Sequence, residues 1–346
     1  MEDLKTIKNL LVFFAVVLLF YLLKELAAIL LPFILALLIA LIVQPLIIFL
    51  NERKIPNWLV FPFVTIISLS VLLFIALIIA DTASQIYYQR DFLLAKLLSK
   101  TDYLLILVNN TFHLKLDTTL VVSEIYQSID SGALKTILAS LAGGLGSLFS
   151  SAIFFSLYYI MLLAGMTKYK EFLSYVGATK KDSVISEYEH LQKSVYSYMV
   201  IKTLINLGIG LVTILLCWLF GIKFAIFWGF IAFIFHYIPN FGAIAGVALP
   251  SLMAFIQLDN LENFILFVLI LAVVHFSTGN IIEPIIMGNK LRLNTIFVLL
   301  GLVFWGYIWG IPGMILSVPL LVIIKIILEK SQEFSIFGRL MGYPDK

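Results

Sequence analysis

The stretch from Phe224 to Leu258 most constrains the fold, because it contains no formally charged residue and is too long for one straight membrane-spanning helix. A helix rises ~1.5 Å per residue, so about 20 residues already cross a hydrocarbon core of ~30 Å. Two full crossings would need more residues than the stretch contains. The segment Tyr237–Gly242 (YIPNFG) in its middle holds a proline, which lacks an N–H donor, and a glycine, which tolerates a turn. The pattern predicts a re-entrant hairpin, here called hairpin 1, whose irregular tip is buried by protein or reached by water.

A second uncharged stretch repeats this pattern nearer the C-terminus. It runs from Leu293 to Ile324 and is again too long for one span. The segment Gly310–Gly313 (GIPG) interrupts it near its centre, and an Ile-Pro pair follows aromatic residues in both stretches. We interpret the two stretches as a weak internal repeat, and the second as another re-entrant hairpin, here called hairpin 2.

The composition is that of a membrane protein with several spans. Hydrophobic residues make up 62% of the 346 residues, charged residues make up 12%, and the mean hydropathy is +1.08. The formal net charge of +3 is small, and the basic residues lie beside apolar runs, where they set orientation. Nucleic acid is therefore excluded as a partner, and membrane lipid is the expected surroundings. The single cysteine, Cys217, cannot form an intrachain disulfide.

Apolar runs and charged loops divide the chain into six regions. They are three N-terminal spans (residues 1–80), an extracytoplasmic amphipathic helical region (81–146), a fourth span with a cytoplasmic helix (147–198), a span with hairpin 1 (199–258), a span with hairpin 2 (259–330) and a cytoplasmic tail (331–346). The predicted fold class is all-α and polytopic, with about six full transmembrane helices, two re-entrant hairpins and amphipathic surface helices.

The charges beside the hairpins predict their orientation. If Phe224 to Leu258 crossed once, Asp259 would lie inside and Lys290 and Arg292 outside, against the positive-inside rule. A re-entrant hairpin reverses both assignments and agrees with the rule. The two span-and-hairpin units then have opposite topology, and both chain termini lie in the cytoplasm. Inverted repeats of this kind meet near the bilayer midplane, where broken helices present free backbone groups to a substrate or ion.

Three motifs in the C-terminal third resemble one family. They are Tyr237–Gly242 (YIPNFG), Asn280–Gly288 (NIIEPIIMG) and Phe304–Met314 (FWGYIWGIPGM), the last followed by Val318-Pro319. The chain resembles the autoinducer-2 exporter superfamily, also called PerM-like permeases. The resemblance implies a bacterial inner-membrane protein, a homo-oligomer (pentamers are known in the family) and an elevator-like movement. It also implies export of autoinducer-2 or exchange of sodium or lithium for protons.

The chain departs from the family pattern at three places. It carries Ala243 where the family often has proline, and His236 where the family has asparagine. Ile201-Lys202 stands where the family tends to have Gly-Gln. A lysine in place of an amide changes both the charge and the hydrogen-bonding options near the expected substrate.

Polar groups and breaks inside the apolar segments are the candidate site, because polar groups are costly in lipid. The predicted substrate-binding residues are His236, Tyr237, Pro239, Asn240 and Gly242 in hairpin 1, Gly310, Pro312 and Gly313 in hairpin 2, and Asn206 and Asn280 in the flanking spans. We expect substrate to lie between the two tips. For His236 the alternatives are proton relay and a hydrogen bond to a carbonyl.

Glu283 and Lys202 are the candidates for ion coupling, each with a structural alternative. Glu283 could instead anchor a loop near the cytoplasmic face, and Lys202 could extend to the membrane interface. The four histidines lack metal-ligand spacing, and no phosphate-binding loop of the Walker type is present. We expect no metal, no cofactor, no catalytic residues and no enzyme activity.

The sequence therefore favours a secondary transporter that exports a small polar metabolite or signal similar to autoinducer-2. An Na⁺(Li⁺)/H⁺ antiporter is the first alternative. A non-transporting membrane scaffold, organised by the amphipathic region 81–146, is the second.

Overall fold

A computed structural model describes residues 2–113, 152–165, 181–287, 293–330 and 335–342. All regular elements among these residues are helices. They are α1 (Glu2–Glu25), α2 (Ala27–Glu52), α3 (Asn57–Tyr88), α4 (Arg90–Phe112), α5 (Ala152–Gly165), α6 (Lys181–Leu219), α7 (Ala225–Phe235), α8 (Phe241–Gln257), α9 (Leu261–Ser277), a π-helical turn (Thr278–Ile282), α10 (Glu283–Met287), α11 (Thr295–Lys330) and α12 (Ser335–Leu340).

Five helices of the described part are long and apolar enough to cross a membrane. They are Ala27–Glu52, Trp58–Tyr88, Val195–Leu219, Leu261–Met287 and Thr295–Glu329, the last by its total length although the chain reverses within it at Gly310. Shorter apolar helices accompany them, among them both arms of hairpin 1. The predicted all-α polytopic class is therefore confirmed. The orientation of the spans in the membrane and the domain boundaries stay predictions.

Hairpin 1 breaks where its proline and glycine predict. Helix α7 ends at Phe235 and α8 begins at Phe241, and the two helices pack against each other. Asn240 adopts a positive φ of 60°, which asparagine tolerates better than most residues. Gly242 lies so close to the Phe235 carbonyl that a Cβ atom there would overlap it. The tip therefore reverses the chain within a few residues.

Hairpin 2 reverses at a single glycine. Gly310 has φ 64° and ψ −146°, a conformation that is essentially restricted to glycine, and it separates the two halves of α11. The halves of α11 before and after Gly310 pack closely against each other. An added Cβ atom on Gly301 would contact Leu321, and one on Gly306 would contact Met314. The apolar core around this hairpin includes residues from α2, among them Leu38 and Leu41.

Two boundaries differ from the sequence predictions. The predicted cytoplasmic helix and the fifth span form one continuous helix, α6, from Lys181 to Leu219. Helix α3 continues to Tyr88, beyond the predicted end at Ala80, since no proline or glycine interrupts the chain there. Of the predicted amphipathic region, residues 114–146 lie outside the described part, as do residues 331–334 and 343–346 of the predicted tail.

Helix α4 is attached to the connection between α8 and α9. Lys96 Nζ lies 3.0 Å from Asp259 Oδ1, and Lys100 Nζ donates a hydrogen bond of 2.8 Å to the Leu258 carbonyl. The Lys96 hydrogen bond, together with the Lys96 charge, lowers the pKa of the exposed Asp259 carboxyl. The contact brings α4 and the residue 258–259 connection to the same end of the molecule.

We expect this attachment to weaken in acid. Because the Asp259 pKa is lowered in the folded protein, the contribution of the pair is complete above about pH 4, the ordinary aspartate range, and disappears as the pH falls through the lowered value. Hydrogen exchange in α4, corrected for intrinsic rates, should therefore increase at low pH in the wild-type protein. Asp259→Asn should raise exchange at neutral pH and remove this pH dependence. Identical exchange in both proteins would contradict the prediction.

The reversal at Gly310 gives a second prediction. Gly310→Ala places a Cβ in a backbone conformation that L-residues rarely adopt, and should lower the free energy of unfolding by about 1–3 kcal/mol. Gly208→Ala is the matched control, because Gly208 lies inside α6 with open space around it and alanine is the better helix former. Thermal unfolding of the purified variants measures the difference. Equal losses for both variants would show that the Gly310 conformation carries no special strain.

Candidate functional site

Three buried polar residues share one face of α6. Lys202, Asn206 and Thr213 are exposed by only 2%, 0% and 0%. Their spacings of four and seven residues bring their side chains to the same side of a helix with 3.6 residues per turn. Polar side chains inside an apolar span are costly and are found mainly where they have a functional or structural partner. This face of α6 is therefore the starting point of the candidate site.

Glu283 supplies the partner of Lys202. Lys202 Nζ donates a hydrogen bond of 2.6 Å to Glu283 Oε1, and the two side chains are 3% and 22% exposed. Glu283 is the first residue of α10, directly after the π-helical turn Thr278–Ile282 that interrupts the preceding span. Such turns occur frequently at functional sites. The ion pair thus joins α6 to the end of the span between the two hairpins.

Two histidines extend the site from Glu283 back to α6. His236 follows α7 at the tip of hairpin 1, and its Nε2 lies 3.9 Å from Glu283 Oε2. The His236 and His275 rings meet edge to face with centroids 5.8 Å apart. His275 Nε2 in turn lies 3.3 Å from Thr213 Oγ1. We call these six residues the polar cluster: Lys202, Asn206, Thr213, His236, His275 and Glu283.

Five buried atoms of the polar cluster have no hydrogen-bond partner among the described residues. They are Nδ2 and Oδ1 of Asn206, Nδ1 and Nε2 of His236, and Nδ1 of His275. Most buried polar atoms in proteins are hydrogen-bonded, and an unsatisfied one costs about 1–3 kcal/mol. An amide and two imidazoles can both donate and accept hydrogen bonds. The polar cluster is therefore suited to bind a small molecule that carries both donors and acceptors.

Gly246 and Tyr237 make the contacts that position hairpin 1 beside the polar cluster. Gly246 of α8 lies against the His275 ring, and a Cβ there would overlap the ring. The Tyr237 hydroxyl lies 2.7 Å from Thr203 Oγ1, which itself donates a hydrogen bond to the Met199 carbonyl of α6. The tip of hairpin 1 is thus positioned by a close helix contact on one side and a hydroxyl pair on the other.

Of the residues predicted for the site, the structure brings together Lys202, Asn206, His236, Tyr237 and Glu283. Lys202 does not extend to the protein surface, so the predicted alternative of reaching the membrane interface is wrong in this structure. Among the described residues His236 donates no hydrogen bond to a carbonyl, and its two alternatives, proton relay and a structural hydrogen bond, stay predictions.

The other predicted residues lie outside the polar cluster. Asn240 is exposed, and the exposed Asn280 donates a hydrogen bond of 3.0 Å to the Phe276 carbonyl of its own helix. Pro239 is half-buried, and Gly242 is buried within the hairpin contact. These residues stay candidates for substrate contact.

The tip of hairpin 2 has different neighbours. Gly310 and Pro312 are exposed, and Gly313 is buried so closely against Trp305 that a Cβ there would overlap its carbonyl. Trp309 Nε1 donates a hydrogen bond of 2.8 Å to the Leu23 carbonyl of α1. Hairpin 2 is therefore attached at its tip to the end of α1. The predicted position of substrate between the two tips stays a prediction.

Sequence reasoning missed two members of the cluster. Thr213 and His275 were not among the predicted site residues, although His275 lies in an apolar run as His236 does. The signal that could have found them is the one that selected Asn206, a polar side chain within a span. Within the described ranges, no group of three His, Cys, Asp or Glu side chains is arranged to hold a metal ion.

The fold and the cluster together define a class of protein. A polytopic helical protein with two broken-helix hairpins and a buried polar cluster beside one tip has an architecture that is typical of membrane transporters. The family model for AI-2E family transporters matches residues 9–333, and the chain belongs to this family. The family and the five span-length helices point to a bacterial inner membrane.

Individual relatives agree with the family assignment. A Haemophilus influenzae protein, whose name gives it a provisional role in transport, is 30% identical over 92% of this chain and 91% of its own length. The AI-2 transport protein TqsA of Escherichia coli is 29% identical over 88% of this chain and 87% of its own length. YhhT of Escherichia coli, also provisionally a transport protein, is 37% identical over 43% of each chain.

The contact between Gly246 and His275 can be tested by substitution. Gly246→Ala should lower the free energy of unfolding by about 1–3 kcal/mol, because the added methyl group forces α8 away from the His275 ring. In a His275→Ala background the ring is gone, and the same substitution should cost less than about 0.5 kcal/mol. Thermal or denaturant unfolding of the four proteins measures the coupling. An equal cost in both backgrounds would show that the ring does not limit the approach of α8.

Proposed function

We propose that this chain is a secondary transporter that exports a small polar metabolite or signal similar to autoinducer-2. The observation that carries the proposal is the set of five unpartnered buried atoms on Asn206, His236 and His275. The charges of Lys202 and Glu283 neutralise each other at 2.6 Å, so the cluster offers hydrogen bonds without a strong net charge. Such a site favours an uncharged, hydroxyl-rich solute. The name of the relative TqsA supports autoinducer-2 as the first solute to test.

The proposed mechanism is an elevator-type alternating access. Hairpin 1, which carries His236, moves with the substrate relative to the remaining helices, so that the polar cluster opens to each side in turn. The proposal includes a homo-oligomer, with a pentamer as the first state to test, and cytoplasmic N- and C-termini. It assigns no enzyme activity to the chain.

Uptake of labelled autoinducer-2-like solutes into proteoliposomes tests the proposal. Asn206→Leu keeps the branched shape and the number of side-chain heavy atoms but removes both amide groups, and should reduce the initial transport rate at least about tenfold, which corresponds to the loss of about 1.4 kcal/mol of substrate interaction. Thr65→Val is the matched control, because Thr65 is also buried in a span-length helix with its hydroxyl unpartnered among the described residues. It lies on α3, outside the polar cluster, and should transport at the wild-type rate.

Assembly must be measured alongside transport. Both variants should elute from size-exclusion chromatography like the wild type, since neither residue exposes a side chain to a partner. Wild-type vesicles that transport no polar solute above protein-free vesicles would favour the scaffold alternative. Proton movement driven by imposed Na⁺ or Li⁺ gradients, without solute transport, would favour the antiporter. Normal transport by Asn206→Leu would show that the substrate binds elsewhere.

A further inference from the structure

We propose that the Lys202 ammonium is a permanently attached cation that fills the carboxylate site of Glu283, so that no Na⁺ or Li⁺ ion is needed there. The consequence for transport, independence from sodium and lithium, rests on the proposed function. The occupancy of the Glu283 site by Lys202 does not rest on the proposed function. It can be measured without a transport assay.

The geometry places the Lys202 ammonium where a cation bound to Glu283 Oε1 would lie. Lys202 Nζ contacts Oε1 at 2.6 Å, the distance of a strong charge-assisted hydrogen bond, and the lysine side chain is 3% exposed. Without this partner, the partly buried Glu283 carboxylate would carry an uncompensated charge, which is destabilising. A small monovalent cation is the natural replacement, because hard cations bind carboxylate and amide oxygens.

Asn206 offers one further oxygen on the same face of α6. Asn206 lies one helical turn from Lys202 on the same face of α6, and its Oδ1 is buried without a partner among the described residues. The substitution Lys202→Gln would add an amide oxygen next to Glu283. Carboxylate and amide oxygens together would then form a site for Na⁺ or Li⁺.

Other charged or titratable groups near Glu283 are few in the described part. His236 Nε2 approaches Oε2 to 3.9 Å from hairpin 1, and the buried Tyr198 interacts with Glu283 electrostatically from α6. Within the described part, Lys202 is the amine in direct contact with the Glu283 carboxylate. Because the lysine is covalently attached, it cannot leave the site as an inorganic cation can, and the pair cannot exchange one inorganic cation for another.

Thermal unfolding of the purified full chain in detergent tests the proposal. The melting temperature is compared in sodium, lithium and choline chloride of equal ionic strength, at mildly alkaline pH so that protons do not replace the cation. The wild type and Lys202→Arg, which keeps the positive charge, should melt alike in all three salts. Lys202→Gln should melt roughly 5–10 °C lower in choline and recover at least half of that loss in sodium or lithium. Lys202→Gln combined with Glu283→Gln should lose the salt response, because no carboxylate remains.

Two results would overturn the proposal. One is a sodium-specific stabilisation of the wild type that Glu283→Gln removes, because the site would then bind an ion beside Lys202. The other is a Lys202→Gln protein with the same melting temperature in all three salts. If Lys202→Gln folds too poorly to melt, its folded yield in sodium and in choline is compared, and equal yields count against the proposal. A failure of solute transport leaves these melting temperatures unchanged and bears only on the proposed function.

Discussion

Hydrocarbon cannot hydrogen-bond to a polar group, and this constraint determines most of the structure. Every N–H and C=O within the bilayer must be satisfied by the protein, which leaves helices as the default element of this chain. The two stretches that cannot continue as single straight helices therefore reverse within protein contacts. Gly242 packs against the Phe235 carbonyl at one reversal, and Gly313 packs against Trp305 at the other. In both hairpins a glycine within three residues after the proline allows the returning helix to lie against the first.

The same constraint determines where side-chain polarity is placed. The polar groups of α6 lie on one face, and the residues that meet them come from hairpin 1 and from the span after it. Lys202 and Glu283 compensate each other, and Thr213 is satisfied by its own helix and by His275. Asn206, between them on the same face, is the residue whose amide finds no partner in the described part. The polar face of α6 therefore has partnered side chains at both ends and an unpartnered amide in the middle. This arrangement suits the binding of a small polar solute.

The sequence could predict the reversals because their causes are local. Proline removes a donor and glycine permits a turn wherever they occur, so the breaks at Tyr237–Gly242 and Gly310–Gly313 follow from composition and length. Asn206 and Lys202 could also be predicted as site residues, because each is a polar residue within an apolar span. The pairing of Lys202 with Glu283 could not be predicted, because the two residues are 81 positions apart and meet only through the packing of α6 on α10. The close approach of α8 to the His275 ring depends on Gly246, whose role is not apparent until the helices are packed.

The two hairpins, although similar in sequence, are held by different kinds of contact. The tip of hairpin 1 is held by the hydroxyl pair of Tyr237 and Thr203 and faces Glu283 through His236. The tip of hairpin 2 is held by Trp309, which packs on Trp305 with ring centroids 4.8 Å apart and donates to the Leu23 carbonyl, while Lys24 lies 4.7 Å from the Tyr307 ring. Hydroxyl and imidazole contacts can be exchanged for contacts with a polar solute at little cost, whereas buried indole packing cannot be replaced by such a solute. Under the proposed function, this difference favours hairpin 1 for solute recognition and hairpin 2 for anchoring, so the two hairpins share a reversal of the chain but differ in their side-chain contacts.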